Sequence, residues 1–410
     1  MNIFVLGCDD NGLSVIQSLS KDFNNIYSID SMRNIGTKSK LAKFIKVESP
    51  MINEKKFINK LISLGKNNDK GVLIPTGDEW AESIAKNKKK LKNFHICAPN
   101  YDLIDTFLNK SKFNNWAKKN NFLTPNIWKL DQANLIKKKN FPVVLKCVSR
   151  RRIRNFFSIK PDIEFLDSYR FKVCSCEKEL HKHLKIIKKK KIKIFIQELV
   201  RGNTSDMYSV CIVAISGRLL GLFYGRKLRG YPSKYGDYTF GKALYVNNKI
   251  KEFAKKFVKK SKFNGIAEIE IKRDQINKKK YIIEVNPRTW SWNKAATLSG
   301  VNMPLIYCKN LNLTKKKQII CNNRNLYFIK FFKDFEARIY SKKNYYRFPD
   351  FQKNFISYLS FVLNKQKVII SEASDETVIK ILKFTEFLNK VIKFFFNNLI
   401  GKITYVLKKI

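Results

Sequence analysis

The alternation of apolar and polar positions changes character along the chain. From residue 1 to about 108, short apolar runs alternate with helical periodicities. Ile3 to Leu6 predicts a buried strand and Leu13 to Leu19 a helix. Ile26 to Ile29 predicts a second strand that ends at Asp30. Val72 to Ile74 predicts another, running into Pro75-Thr76-Gly77-Asp78-Glu79. Strand, helix and strand with short links are the pattern of a doubly wound parallel sheet. The first loop, Gly7-Cys8-Asp9-Asp10-Asn11-Gly12, has glycine at both ends but lacks the second glycine of a dinucleotide fingerprint. It therefore predicts a tight strand-to-helix turn and little more.

From Lys110 to about Gln197 the pattern shifts. A helix is expected from Ser111 to Asn120 and a buried strand from Phe141 to Lys146. A basic loop follows from Ser149 to Asn155, then a helix around Glu177 to Lys190. The strand Ile192 to Ile196 runs into Gln197-Glu198. Residues 198 to 310 are strand-rich: Tyr208 to Ile215 and Arg218 to Tyr224 flank a turn at Gly217. A helix from Ile250 to Ser261 precedes strands at Gly265 to Ile271 and Tyr281 to Val285. Near the end, Ser374 reads as an N-cap with Asp375 and Glu376 in the first turn. Ile381, Phe384, Leu388, Val391, Phe395 and Leu399 then recur at helical spacing. The expected division is 1–108, then 109–310 in two parts (109–194 and 195–310), then a C-terminal extension, 311–410.

Composition adjusts this picture. The chain has 410 residues, 44% of them hydrophobic, enough for two or three cores. A formal net charge of +49 first suggests nucleic acid or an anionic membrane. Only 15 of the 82 basic residues are Arg, however, the side chain preferred for bidentate phosphate and base contacts. The rest are Lys, which shares A/T-rich codons with the abundant Asn, Ile and Phe. The lysines spread along the chain as pairs and triplets, as solvated faces do. No nucleic-acid partner is therefore expected. Eight Cys form no CxxC pair and the three His form no metal-ligand spacing, which argues against zinc and against a His-assisted nucleophile. The first apolar run is too short for a signal peptide, and no run of 18 apolar residues predicts a transmembrane helix. A cytoplasmic protein with reduced thiols is expected.

The chemistry concentrates between residues 265 and 288. Alternation puts Glu268 and Glu270 on one face of the first strand, and Glu284 and Asn286 on one face of the second. A hairpin around residues 273 to 280 sets these faces side by side. The result is a cluster of carboxylates and an amide oxygen, the hard ligands that suit Mg²⁺, with Mn²⁺ as an alternative. Arg288 follows at once and suits a phosphate. The bland alternative is a sheet with one solvated polar face, which explains alternation but not acid clustering in a chain so short of acids.

Glu284-x-Asn286-Pro287-Arg288, with Glu270 fourteen residues earlier, resembles the metal-binding strand pair of the ATP-grasp superfamily. Other segments follow in the family's order over roughly residues 1 to 310. Lys110, fifteen residues before Pro125, resembles the Lys that opens the central domain and touches the ATP phosphates. Lys146, closing a Pro-Val-Val-Leu-Lys strand, resembles the second phosphate-binding Lys. Gln197-Glu198-Leu199-Val200 resembles the hinge that holds the adenine, and Asp206 is the candidate for the ribose hydroxyls. The segment Gly225-Arg226-Lys227-Leu228-Arg229-Gly230-Tyr231-Pro232, Trp290-Ser291-Trp292 and Pro75-Thr76-x-Asp78-Glu79 are similar to a subgroup of carboxylate–amine ligases that includes D-aspartate ligase-like members. The resemblance implies an N-terminal doubly wound domain, a two-part ATP-grasp domain and a short helical extension.

It also implies an ATP-dependent ligase that activates a carboxylate as an acyl phosphate and passes it to an amine or thiol. Arg288 and Lys146 act at the reacting groups. Glu270, Glu284 and Asn286 hold the metal. Arg226, Arg229, Asp78 and Glu79 contact substrate; for Arg226 and Arg229 a solvated hairpin end is the alternative. One departure stands out: the segment after Lys146 has no glycine where the family covers the phosphates with a glycine-rich loop. Either Arg side chains take over, the loop lies elsewhere, or turnover is lost. Two other readings therefore remain: a non-catalytic ATP-binding relative, and a charge-driven nucleic-acid or membrane-surface binder. The C-terminal helical pattern fits packing on its own domain. Phe394, Phe395 and Phe396 in a row leave apolar area for a homodimer partner or a lipid surface.

Overall fold

The computed structural model describes residues 1–66, 70–147, 171–189, 194–231, 237–312, 317–334, 355–364 and 368–370, with single positions between 376 and 392. The N-terminal part is an α/β layer structure. Strands β1 (Ile3–Leu6), β2 (Ile26–Asp30), β3 (Lys43–Lys46), β4 (Gly71–Pro75) and β5 (Phe94–Ile96) form a parallel sheet in the order β3-β2-β1-β4-β5. β1 and β4 are buried throughout because helices cover both faces of a parallel sheet. β3 carries Lys at both ends and closes an edge. Strand order reverses between β1 and β4, so the loops leaving these two strands flank the usual ligand crevice of such sheets.

Helix α1 (Asp10–Leu19) starts earlier than its first periodic apolar residue, Leu13. Asp9 caps it, accepting from the backbone N–H of Asn11 and Gly12 at 2.9 and 3.3 Å. Gly7 makes the turn at a φ of +83°, where a Cβ would meet the Trp80 ring. Helices α2 (Glu54–Lys66), α3 (Asp78–Lys86) and α4 (Tyr101–Leu108) complete this part.

Helix α5 (Lys110–Lys119) leads out of it, burying Phe113 and Ala117 against Phe107 and Phe257. A small antiparallel sheet follows, ordered β6-β9-β7-β8: β6 (Ile127–Trp128), β7 (Val143–Cys147), β8 (Phe171–Cys174) and β9 (Ile194–Glu198). Helix α6 (Glu177–Lys189) buries Leu180, Leu184 and Ile187 against it, a single stripe at helical spacing. β9 extends through Gln197 and Glu198, two residues past the expected end, because both pair with neighbouring strands. The basic loop Ser149 to Asn155 lies outside the described residues.

The largest sheet contains eight described strands. Along its path run β14 (Lys280–Asn286), β13 (Gly265–Arg273), β10 (Met207–Ile215), β11 (Arg218–Tyr231), β12 (Asp237–Ala243), β16 (Tyr327–Ile329) and β17 (Val368–Ile370). β15 (Ile320–Cys321) pairs with β11. Ser216 and Gly217, both with positive φ, make the tight turn between β10 and β11. Helix α7 (Asn248–Ser261) covers one face through Ile250, Ala254, Phe257 and Val258. Helices α8 (Asn293–Leu298) and α9 (Met303–Cys308) join the other face to α1.

The stretch expected as an appended extension contributes to this sheet. Strands β15, β16 and β17 belong to it, and helix α10 (Phe355–Leu363) places Tyr358 and Val362 in a core with Phe240, Ile329 and Val368. Ser39 Oγ and the Lys40 amide donate to Glu376 at 2.7 and 2.6 Å, tying the C-terminal region to the N-terminal one. Apart from single positions, the expected helix from Thr377 to Ile410 lies outside the described residues. Among the described residues no helix is long and apolar enough to cross a membrane.

Candidate active site

The β13–β14 hairpin aligns the acidic residues. Glu270 stands opposite Glu284 and Glu268 opposite Asn286. The turn is held by Asp274, which accepts from the backbone N–H of Arg201, Ile276 and Asn277 at 2.9 to 3.0 Å. Those bonds to its charged form pull the Asp274 carboxyl below its ordinary range, against the opposing effect of burial.

Glu268 is buried and faces inward. It accepts from Ser209 Oγ at 2.7 Å, Asn286 Nδ2 at 3.1 Å and Trp292 Nε1 at 3.3 Å. Glu268 thus takes the amide nitrogen of Asn286 and fixes which way its oxygen points. Trp292 lies so close to Gly225 that a Cβ there would come within 2.5 Å of its ring. That contact gives the Trp-Ser-Trp and Gly-Arg-Lys motifs a shared packing role.

Two lysines sit on the remaining carboxylates. Lys110 Nζ, from the first residue of α5, is 2.8 Å from Glu284 Oε2. Lys227 Nζ, from β11, is 3.1 Å from Glu270 Oε1. Burial alone would lower the Lys227 pKa, but Glu270, Glu268 and Glu284 outweigh it and push it up. The ammonium is therefore held charged. The Gly-Arg-Lys motif by itself gives Lys227 no role. The signal was there in strand alternation: carried past Tyr224, it puts Lys227 on the face of Gly225, the partner of Ser209.

Among the described residues, no three acidic, His or Cys side chains converge on one point. The set is instead two adjacent carboxylates, Glu270 and Glu284, with the Asn286 amide oxygen beside them. Hard oxygen ligands, each carboxylate already matched to a cation, fit Mg²⁺ of the kind that completes its shell with substrate phosphates and water.

Arg288 is the link to the N-terminal part. Its Nε donates to Asp78 Oδ1 at 2.8 Å, its Nη1 to the Thr289 carbonyl at 2.8 Å, and its Nη2 reaches toward Asn286 Oδ1 at 3.5 Å. Glu79 follows Asp78 in the first turn of α3. Asn11 Nδ2 donates to both the Thr76 and Thr289 carbonyls, at 2.9 and 3.0 Å. The loops leaving β1 and β4 thus close on the end of β14. Burial raises the Asp9 carboxyl; its cap hydrogen bonds and Arg288 draw it back only in part.

The nucleotide candidates fall on the small sheet and the segment leaving it. Lys146 lies on β7, half-buried, opposite Phe195 of β9. Glu198 accepts from the Asn126 backbone and side chain at 3.2 and 2.9 Å. The Leu199 amide donates to the Pro142 carbonyl at 3.3 Å, and Gln197 and Val200 are buried. Asp206 accepts from the Asn203 amide and from Gln275 Nε2 at 2.9 and 2.8 Å, beside the β13–β14 turn.

Arg226 and Arg229 do not join the acidic face. Arg226 pairs in register with Tyr208, on the face opposite Ser209 and Glu270; its Nε donates to the Ser205 carbonyl at 2.6 Å and its guanidinium lies over the Tyr208 ring. One residue of strand alternation separates it from Lys227. Arg229 is buried against Asp334, which also accepts from Tyr358 Oη at 3.0 Å.

No family model matches the chain. It is similar to the D-aspartate ligase of Enterococcus faecium, 22% identical over 322 residues, 73% of this chain and 74% of that protein. In structure it resembles N5-carboxyaminoimidazole synthetase from Staphylococcus aureus, with a TM-score of 0.59 at 13% identity, covering 82% of this chain and 83% of the other. That synthetase is also known complexed with ADP. The L-amino acid ligase of Bacillus licheniformis aligns with a TM-score of 0.57 at 13% identity, covering 75% and 73%. Element order, the three sheets and these likenesses agree: the chain has the fold of the ATP-grasp ligases.

Proposed function

We propose that the chain is an ATP-dependent ligase joining a carboxylate to an amine, or to a thiol, through an acyl phosphate. The observation that carries this is the set Glu270, Glu284 and Asn286, bracketed by Lys110 and Lys227 and facing Arg288. A carboxylate is a poor electrophile because a nucleophile would have to expel oxide. In the first step a carboxylate oxygen of the substrate attacks the γ-phosphorus of ATP and ADP leaves. In the second the amine attacks the acyl carbon, phosphate leaves, and the amine loses a proton.

The residues divide this work. Lys110, Lys146 and Lys227 offset phosphate charge, and Arg288 stabilises the transferring group. Gln197 to Val200 take the adenine and Asp206 the ribose. Mg²⁺, or Mn²⁺, would be held by Glu270, Glu284 and Asn286 and would supply charge neutralisation to the nucleotide phosphates. Glu79 bounds the acceptor side from the N-terminal part, and Asp78 pairs with Arg288. No side-chain nucleophile is required, consistent with the sequence. The test is ADP release with Mg²⁺ across panels of carboxylates and amines. Release that needs both substrates supports the reading. ATP binding without such release reassigns the chain as a non-catalytic relative, and salt-sensitive, ATP-indifferent binding to random DNA or anionic vesicles favours a charge-driven binder.

A further inference from the structure

Arg288 follows the end of β14 by two residues, yet its orientation depends on residues about two hundred positions earlier. Asp78 opens α3 just beyond the carboxyl end of β4, and Asp78 and Arg288 are 16% and 15% exposed. The guanidinium is held at two nitrogens: Nε by Asp78 and Nη1 by the Thr289 carbonyl. That same carbonyl is clamped by Asn11, which also grips the Thr76 carbonyl two residues before Asp78. Two held nitrogens restrict the plane of the group. The third, Nη2, then extends toward Asn286 Oδ1 and hence toward the carboxylate set. Without Asp78 the guanidinium loses the charged acceptor at Nε that helps set its plane.

We propose that Asp78 is a positioning residue: it sets the plane of Arg288 across the boundary between the N-terminal part and the large sheet. It acts through Arg288 and not by binding the amine. The inference rests on the ligase reading for its effect on rate, but the Asp78–Arg288 contact can be tested without turnover. A charged acceptor is needed because an ion pair with a hydrogen bond orients a guanidinium more firmly than a neutral one. Placing that acceptor on the first turn of a helix gives it a rigid support.

The experiment uses the full chain with Asp78→Ala, Asp78→Glu, Arg288→Lys and the Asp78→Ala/Arg288→Lys double variant, each checked for an unchanged melting profile. Asp78→Ala should lower kcat by about tenfold to a hundredfold, as misplacement of a reacting-site group does, with ATP affinity and amine KM kept within about twofold. Asp78→Glu should regain part of the loss. The double variant should be no slower than Arg288→Lys alone, because both changes remove one unit. A raised amine KM with kcat retained overturns the inference, as does additive loss in the double variant.

Phenylglyoxal labelling of Arg288, read by mass spectrometry, reports the contact itself. Asp78→Ala should raise the labelling rate several-fold over the unsubstituted chain; equal rates overturn the inference even in an active enzyme. An unsubstituted chain with no ligase turnover but a clear labelling contrast overturns the ligase reading alone and keeps Asp78 as the residue that orients Arg288. An Asp78→Ala protein that unfolds hands the decision to Asp78→Glu, whose labelling rate must then exceed that of the unsubstituted chain.

Discussion

Glu284 shows how far one residue could be read from sequence. Period-two alternation put Glu268 with Glu270 and Glu284 with Asn286, and the observed register brings the two pairs opposite each other. The same rule, carried one strand further, would have separated Lys227 from Arg226. Past Tyr224 the glycines and charges look like a loop, whereas β11 runs on to Tyr231. Side-chain partners were not legible at all: Lys110 to Glu284 spans 174 positions and Arg288 to Asp78 spans 210. Two predictions belong at this scale. Glu284→Gln keeps the shape and loses the charge that meets Lys110 and, on the proposed reading, Mg²⁺. We expect ligase turnover to fall by at least about a hundredfold with the fold intact; a folded variant with full activity in Mg²⁺ would reject the site. On the proposed reading, Lys146→Ala removes one charge-assisted phosphate contact, worth about 1.5–3 kcal/mol. Calorimetry should show ATP binding weakened roughly tenfold or more; unchanged affinity removes Lys146 from the nucleotide site.

Elements were read well where a short apolar run or a single buried face marks them, and poorly where neither does. The parallel core strands, α5, α7 and the β13–β14 pair appear close to where periodicity puts them. β12 was not anticipated: Tyr238, Thr239 and Phe240 are all buried, so no alternation marks it, and Gly241 reads as a turn. The β13–β14 turn supplies the prediction at this scale. Asp274 is the acceptor for three backbone N–H groups, one of them from Arg201 after the small sheet. Asp274→Ala leaves these donors without it and should cost about 2–3 kcal/mol. Because the folded carboxyl is pulled below its ordinary value near 3.8, its contribution is present above that pH and is lost as pH falls through the folded value. Urea midpoints of the two proteins should therefore differ at pH 7, and the gap should begin to close only as pH falls below about 3.8. A gap that stays constant down to strong acid contradicts this account.

At the scale of the whole molecule, charge was the least informative feature and the C-terminal stretch the most misleading. A net charge of +49 says little about a centre where lysines meet the scarce carboxylates. Residues 311–410 looked like an appendage because short strands and a break in pattern carry no signature of the sheet they join. β16 and β17 instead extend the large sheet, and Asp334 sits fully buried beneath it. Asp334 pairs with Arg229 of β11 through two hydrogen bonds and accepts a third from Tyr358 of α10. It therefore joins the central sheet, the extension and its helix at one point. Replacing Asp334 by Asn keeps the volume but leaves the Arg229 guanidinium buried with no carboxylate at that position. Breaking one side of a buried pair costs about 3–5 kcal/mol, far more than a surface pair. We expect Asp334→Asn to unfold at a clearly lower urea concentration, with the loss shared by the large sheet. ATP affinity of the molecules still folded should be unchanged, because Arg229 does not join the acidic face. If Asp334→Asn melts like the unsubstituted chain, the extension is a separate unit and Arg229 is released to contact substrate, as the sequence first suggested. If stability holds but ATP binding is lost, the pair serves the nucleotide site and its placement as a structural tie is wrong.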